Sequence, residues 1–217
     1  MVLQGSIQFY KGCKSIIINS NVIKELYSNL LDLVPNDYVE CKKKRDGENF
    51  HITVIASKEA NLCTGNYNEI LNKYQTINFD VLGLGKNQTS YYLVCVSQQL
   101  DWIRQELGLE PHDFHITVGF NQTDSHGIPK DISTLTNPVE NIIDLTIQNL
   151  SSNTSKNINQ LKKLNILYPE NFKIIKNLIS ELGKKSLYNQ ALNYSLVLFD
   201  LFPSNLISSF LLLKLFT

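Results

Sequence analysis

The tetrapeptide His51-Ile52-Thr53-Val54 recurs letter for letter as His115-Ile116-Thr117-Val118. Each copy alternates in polarity and is rich in β-branched residues, the pattern of a half-buried strand. On a strand, residues i and i+2 share a face. His51 and Thr53 therefore point one way while Ile52 and Val54 point the other, and His115 and Thr117 stand in the same relation to Ile116 and Val118. Each copy offers an imidazole and a hydroxyl side by side on a strand anchored in the core. Two such strands turned to one groove make a site of two histidines and two threonines.

Around the copies the chain alternates strand-like and helix-like segments. Residues 6–10 read as a strand. Asn19-Ser20-Asn21 supplies an N-cap for a helix with Val22, Ile23, Leu26, Leu30 and Leu33 at helical spacing, which Pro35 closes. Tyr38 to Lys44 and Asn49 to Ala56 read as two strands around an Asp46-Gly47 turn. Ser57 to Lys73 reads as partly helical, with Gly65 a weak point. Ile77 to Leu84 and Tyr91 to Val96 read as strands separated by Gly85-Lys86-Asn87-Gln88. Gln98 to Leu107 is a helix ended by Gly108, and Phe114 to Phe120 is the second motif strand. Each motif thus lies in its own small unit, which predicts an α+β, bilobal domain with a central cleft over residues 1–148.

Beyond a polar linker at Ser151-Ser152-Asn153-Thr154-Ser155 the pattern is helical, a small all-α tail over 149–217 built on a helical hairpin. Leu167-Tyr168-Pro169-Glu170-Asn171 is echoed by Leu201-Phe202-Pro203-Ser204-Asn205, with the prolines 34 positions apart. That is the period of a tetratricopeptide repeat, and Ala191 falls where such a repeat wants a small residue between its helices. The tail resembles one repeat flanked by two half-repeats, although the repeat's tryptophan is missing; an unrelated helical hairpin is the other reading. Leu206 to Phe216 is apolar around much of its surface, which suits packing on the first domain, an interface with a protein partner, or continuation of the chain.

Two histidines across a groove suit in-line phosphodiester chemistry. One neutral imidazole takes a proton from the attacking oxygen and the other, as imidazolium, protonates the leaving oxygen. Unperturbed imidazole titrates near pH 6.5, so both forms are accessible near neutrality. Threonine hydroxyls can donate to non-bridging phosphate oxygens. A metal role for the histidines lacks an Asp, Glu or Cys at ligand spacing, and Cys13, Cys41, Cys63 and Cys95 are too widely spaced for a zinc site. No cofactor or metal is expected. The remaining readings are a structural duplication and a binding module that recognises a nucleotide or RNA end without turnover and is recruited through the tail.

At these residues the chain resembles the two-histidine (2H, LigT-like) phosphoesterase superfamily, whose signature is two H-x-T/S motifs flanked by hydrophobic residues. The resemblance implies a bilobal fold with a central cleft, His51 and His115 as metal-independent acid and base, and Thr53 and Thr117 as phosphate ligands. It also implies a cyclic phosphodiester substrate, either an RNA end with a 2′,3′-cyclic phosphate or a small cyclic nucleotide, or a 2′-5′ linkage. Gly83-Leu84-Gly85-Lys86, Arg104 to Gly108, Asp113-Phe114-His115 to Phe120 and the turn Asp124-Ser125-His126-Gly127 resemble a eukaryotic branch connected with RNA repair.

Weaker site candidates surround the motifs. Tyr91 and Tyr92 can stack a base, although alternation turns one of them into the core. Lys86 can meet a phosphate, and His126 can reach the cleft mouth; each also suits a plain loop residue. Gly83-Leu84-Gly85-Lys86 lacks P-loop spacing. The 217-residue chain balances twenty basic against twenty acidic residues, so no global field holds long nucleic acid, and Lys42-Lys43-Lys44-Arg45 reads first as a solvated patch. The N-terminus has no apolar signal region and the greasy C-terminus is too interrupted to span a membrane, which together predict an intracellular protein, cytoplasmic or nuclear, with reduced thiols.

Overall fold

A computed structural model describes residues 3–64, 67–125, 127–205, 207 and 208. The chain is α+β. Strands β1 (Leu3–Gly5), β2 (Ile7–Tyr10) and β3 (Cys13–Ile18) precede helices α1 (Ser20–Leu31) and α2 (Asn36–Asp46). Then come β4 (Phe50–Ile55), a 3₁₀ turn (Ser57–Leu62), α3 (Tyr67–Lys73), β5 (Ile77–Lys86) and β6 (Ser90–Val96). After α4 (Gln98–Glu106) come β7 (His115–Phe120), a second 3₁₀ turn (Ile132–Thr134) and β8 (Leu135–Pro138). The remaining helices are α5 (Ile142–Gln148), α6 (Thr154–Leu167), α7 (Phe172–Lys184) and α8 (Tyr188–Leu201). Two compact units result, residues 1–142 and 143–217.

In the first unit the strands form one eight-stranded antiparallel sheet in the order β1-β5-β6-β7-β4-β3-β2, with β8 also pairing β5. The two halves of this sheet, each carrying one copy of the repeat, meet where β4 pairs β7 through Ile52 and Ile116. One face is the core. Ile16, Ile52, Val54, Ile116 and Val118 lie on it, packed with Ile23 and Leu30 of α1 and with Leu100 and Ile103 of α4.

The repeat is structural as well as textual. On β4, Thr53 pairs Ser15, Ile55 pairs Lys14, and Val54 is skipped. On β7, Thr117 pairs Tyr92, Gly119 pairs Tyr91, and Val118 is skipped. Both copies therefore carry a β-bulge at the valine. A bulge resets the alternation and re-aims the side chains beyond it. Val54 and Ile55 are both buried for this reason. On β7 the reset returns Phe120, the partner of Ser90, to the Tyr92 face, while Gly119 turns to α2. A Cβ on Gly119 would stand 2.7 Å from Val34 Cγ1 and 3.0 Å from Tyr38 Cβ, so the close seat of α2 on β7 needs glycine.

Helix α2 corrects the reading of 38–44 as a strand. Pro35 does not close the preceding helix, which ends at Leu31; it occupies the N-cap position of α2. Asp37 in the first turn and Lys43, Lys44 and Arg45 in the last complement the helix dipole. Gly47, with φ 64°, ends the helix in the left-handed region rather than turning a hairpin. The hairpin turn lies earlier, at Lys11 (φ 48°) and Gly12 (φ 80°), the signature of a type I′ turn between β2 and β3. β1, β3 and β8 were not legible as strands, and β5 runs through Lys86 rather than stopping before Gly85.

The second unit is helical. Asn153 and Asn171 cap α6 and α7 through their side chains. Leu161, Leu164, Leu178, Leu182, Ala191 and Leu198 are fully buried, and Asn157 Nδ2 donates to buried Glu181 at 2.7 Å. Pro169 and Pro203 each fall two residues past a helix end. Of the terminal segment read as Leu206 to Phe216, only residues 207 and 208 are among those described. Among the described residues no helix is long and apolar enough to cross a membrane.

Candidate active site

Antiparallel pairing at Ile52 and Ile116 sets the relation of the two motifs. Continued one residue each way, that register places His51 across from Thr117 and Thr53 across from His115. All four side chains share the face opposite the core. The two histidines are then diagonal neighbours, a relation that separates residues by roughly 7–8 Å. The outer strands extend the rows: Ile17 pairs His51 and Ser15 pairs Thr53 on one side, while Tyr92 pairs Thr117 and Val94 pairs His115 on the other.

The two imidazoles have different surroundings. His115 Nδ1 lies 2.8 Å from the carbonyl oxygen of Asp113, which accepts only if Nδ1 carries the proton. Nε2 is then an acceptor and faces Lys130 Nζ at 3.3 Å. Tyr92 meets the His115 ring edge-on at 5.8 Å. Burial first, then the Lys130 charge, pushes the His115 pKa down to about 3. His51 instead packs against Tyr10, ring centroids 4.9 Å apart. Burial lowers its pKa also, and the Asp46 carboxylate works against that shift.

A chain of ion pairs runs along the site. Lys130, 4% exposed, donates to Asp124 Oδ1 at 2.9 Å. The other oxygen of Asp124 accepts from Thr117 Oγ1 at 3.2 Å and from Arg45 Nη1 at 3.3 Å. Arg45 stacks 4.3 Å over Phe120, the residue returned by the bulge, and forks onto Asp46 at 2.9 and 2.8 Å. Asp46 also accepts from Lys11 at 2.8 Å. Burial alone would raise the pKa of both carboxylates, but the cations on each more than offset it and hold them below the usual range. The loop bearing Asp124 is fixed by Ser125, whose hydroxyl meets Asn87 Nδ2 at 2.8 Å and Ser90 Oγ at 3.2 Å. On the other strand, buried Arg104 donates to the Val54 carbonyl at 2.7 Å, securing the β4 bulge, and is paired with Glu59.

The structure brings His51, Thr53, His115, Thr117 and Tyr92 together. Tyr92 is fully buried against His115, whereas Tyr91 faces Tyr38 edge-on at 5.3 Å. Lys86 is exposed at the end of β5, its Nζ 5.2 Å above the Tyr91 ring, outside the ion-pair chain. His126 lies outside the described residues. Among the described residues no three His, Cys, Asp or Glu side chains converge as a metal site. The sequence reading missed Lys130 and Tyr10, noted Asp46 and Asp124 only as parts of turns, and read Arg45 first as part of a solvated patch. The one available signal was the Lys42–Arg45 run, which α2 delivers to the site by its last turn.

Residues 17–126 match the family model described as the Swiss Army Knife, 2H phosphoesterase domain. No curated protein and no solved structure matches. The matched span is about half of the chain and contains both H-I-T-V strands, both bulges and Asp124. The chain belongs to the 2H phosphoesterase family.

Proposed function

We propose that this protein is a phosphodiesterase that opens a cyclic phosphodiester, an RNA 2′,3′-cyclic phosphate end or a cyclic nucleotide, by general acid–base catalysis between His51 and His115, without a metal. The observation that carries the reading is the diagonal placement of two imidazoles, each with a threonine hydroxyl across from it, about the Ile52–Ile116 pair. Water attacks phosphorus while one imidazole accepts its proton. The bond to the leaving ribose oxygen breaks with its electrons on that oxygen, which the second imidazole protonates. Thr53 and Thr117 bind the non-bridging oxygens. Ion pairs along the cleft set Lys11, Arg45 and Lys130 against Asp46 and Asp124.

The test is incubation of the purified protein with 2′,3′-cyclic nucleotides and a cyclic-phosphate-ended oligonucleotide, with and without EDTA. The expected result is a phosphomonoester formed equally well in chelator and lost in His51→Ala and His115→Ala. Tight binding with no product would make the cleft a recognition module, and reversible loss of activity in EDTA would end the metal-free mechanism.

A further inference from the structure

Lys130 is a buried cation that the two-histidine scheme does not use, and it lies beyond the span matched by the family model. Its backbone N–H is anchored on Asp113 Oδ2 at 3.2 Å, the residue whose carbonyl holds His115 Nδ1. One Nζ proton goes to Asp124 at 2.9 Å, and the longer contact, 3.3 Å, goes to His115 Nε2. The Tyr92 ring stands 5.2 Å from the same ammonium. The groups that face His115 are thus Lys130 and Asp124 from the segment after β7, Asp113 and His112 from the segment before it, and Tyr92 from β6, with Arg45 of α2 one step away through Asp124.

We propose that Lys130 is the cation that receives the substrate phosphate, and that by resting on Nε2 it holds His115 as the Nδ1–H tautomer, which makes His115 the base and leaves the acid's part to His51. This rests on the hydrolytic reading above. The chemistry favours a handover. An ammonium bonds an anionic oxygen more strongly than a neutral nitrogen. A non-bridging phosphate oxygen at the Thr117 end of the cleft competes for the proton that Lys130 gives to Nε2, and the 3.3 Å contact is the weaker of its two. Release of Nε2 frees the lone pair that takes the proton of water. The oxygen of that water bonds to phosphorus, the ester bond breaks, and the leaving oxygen takes its proton from His51 as imidazolium. Burial and the charges of Arg45, Lys42 and Lys11 lower the His51 pKa, and Asp46 is the group there that favours the protonated form against them. Solvent then restores both imidazoles.

The test combines ring ¹⁵N spectra of the histidines, titration with inorganic phosphate, and kinetics on 2′,3′-cyclic AMP, for the wild type, Lys130→Met and Lys130→Arg. In the wild type, His115 should read as the Nδ1–H tautomer between about pH 5 and 8. Phosphate should perturb its Nε2. Lys130→Met should weaken phosphate binding and lower kcat/KM by about ten- to a hundredfold, and move the acidic limb of the pH profile upward. Lys130→Arg should recover part of the phosphate affinity. An Nε2–H tautomer in the wild type, or a Lys130→Met protein with unchanged phosphate affinity and pH profile, overturns the proposal. If Lys130→Met does not fold, the wild-type spectrum and Lys130→Arg decide. If the wild type turns over no substrate, or the histidine variants are as active as it is, the hydrolytic reading fails on its own, and the ring spectra with phosphate titration still judge Lys130.

Discussion

The strand His51–Val54 and the strand His115–Val118 have the same four residues, the same bulge and the same side of the sheet, yet they are different chemical environments. His115 is held at both nitrogens, by a carbonyl and by an ammonium, and its threonine donates to a buried carboxylate. His51 has an aromatic ring beside it, and among the described residues neither its nitrogens nor the Thr53 hydroxyl has a hydrogen-bond partner. The lesson is that the motif supplies the groups and the flanking segments supply their roles. Two identical imidazoles become an acid and a base only when their surroundings push them apart.

Removing each imidazole in turn tests whether the two strands act in one reaction. His51→Ala and His115→Ala should each lower kcat/KM on a cyclic nucleotide by ~10²–10⁴-fold with the fold intact by circular dichroism. The double variant should lose little more than either single one, because acid and base act in the same step. A single variant at near wild-type rate would mean that the two strands are not partners in one reaction.

The two carboxylates should differ in what they hold together. Asp124 neutralises Lys130, whose side chain is 4% exposed. Its replacement by alanine leaves that charge buried and should cost about 3–5 kcal/mol in denaturant unfolding. Asp46 is as buried, but its partners Arg45 and Lys11 are 35% and 47% exposed and can turn to solvent. Asp46→Ala should therefore cost distinctly less. Equal losses would show that the His51 end is as closed as the His115 end.

Acid should expose the same asymmetry. The His115 pKa is near 3 in the folded chain and near 6.5 in the unfolded one, so below pH 6.5 the unfolded chain takes up a proton that the native site refuses. Stability is then complete above pH 6.5 and falls as pH drops toward 3, by about 1.4 kcal/mol per pH unit from this group. Urea midpoints of the wild type should decline from pH 6.5 to 5, a window above the range in which carboxylates titrate. In His115→Gln that decline should flatten more than in His51→Gln, where Asp46 opposes the shift.

Much of the cleft was legible from the two tetrapeptides, because alternation alone assigns the faces of His, Ile and Thr and does not depend on tertiary context. The bulges were not, since Val54 and Val118 suit a regular strand as well as a bulged one and only the partner strand reveals the extra residue. Helix α2 was misread because Asp46-Gly47 serves a hairpin and a helix end equally, and Tyr38-Val39 has strand propensity. With α2 misplaced, Arg45 had no route to the site. Lys130 carries no signal at all. It is a lone lysine in a polar segment, and only the fold of that segment back over Asp113 brings it to His115.

The smallest difference concerns the two threonines, and it separates binding from stability. If both hydroxyls meet the phosphate, Thr53→Val and Thr117→Val should slow turnover to a similar extent. Their effects on the folded chain should not match. Thr117 is 8% exposed and donates to Asp124, a bond to a charged acceptor whose loss also leaves one oxygen of a buried carboxylate to Arg45 alone. The net cost should be near 1 kcal/mol. Thr53 is half-buried with no partner for its hydroxyl among the described residues, and valine preserves its shape and strand propensity, so its stability change should stay within about 0.5 kcal/mol. Equal turnover losses with unequal unfolding midpoints would show that the hydroxyls act alike on substrate while only one is built into the protein. Unequal turnover losses, with Thr117 the lesser, would mean that Asp124 keeps that hydroxyl from the phosphate.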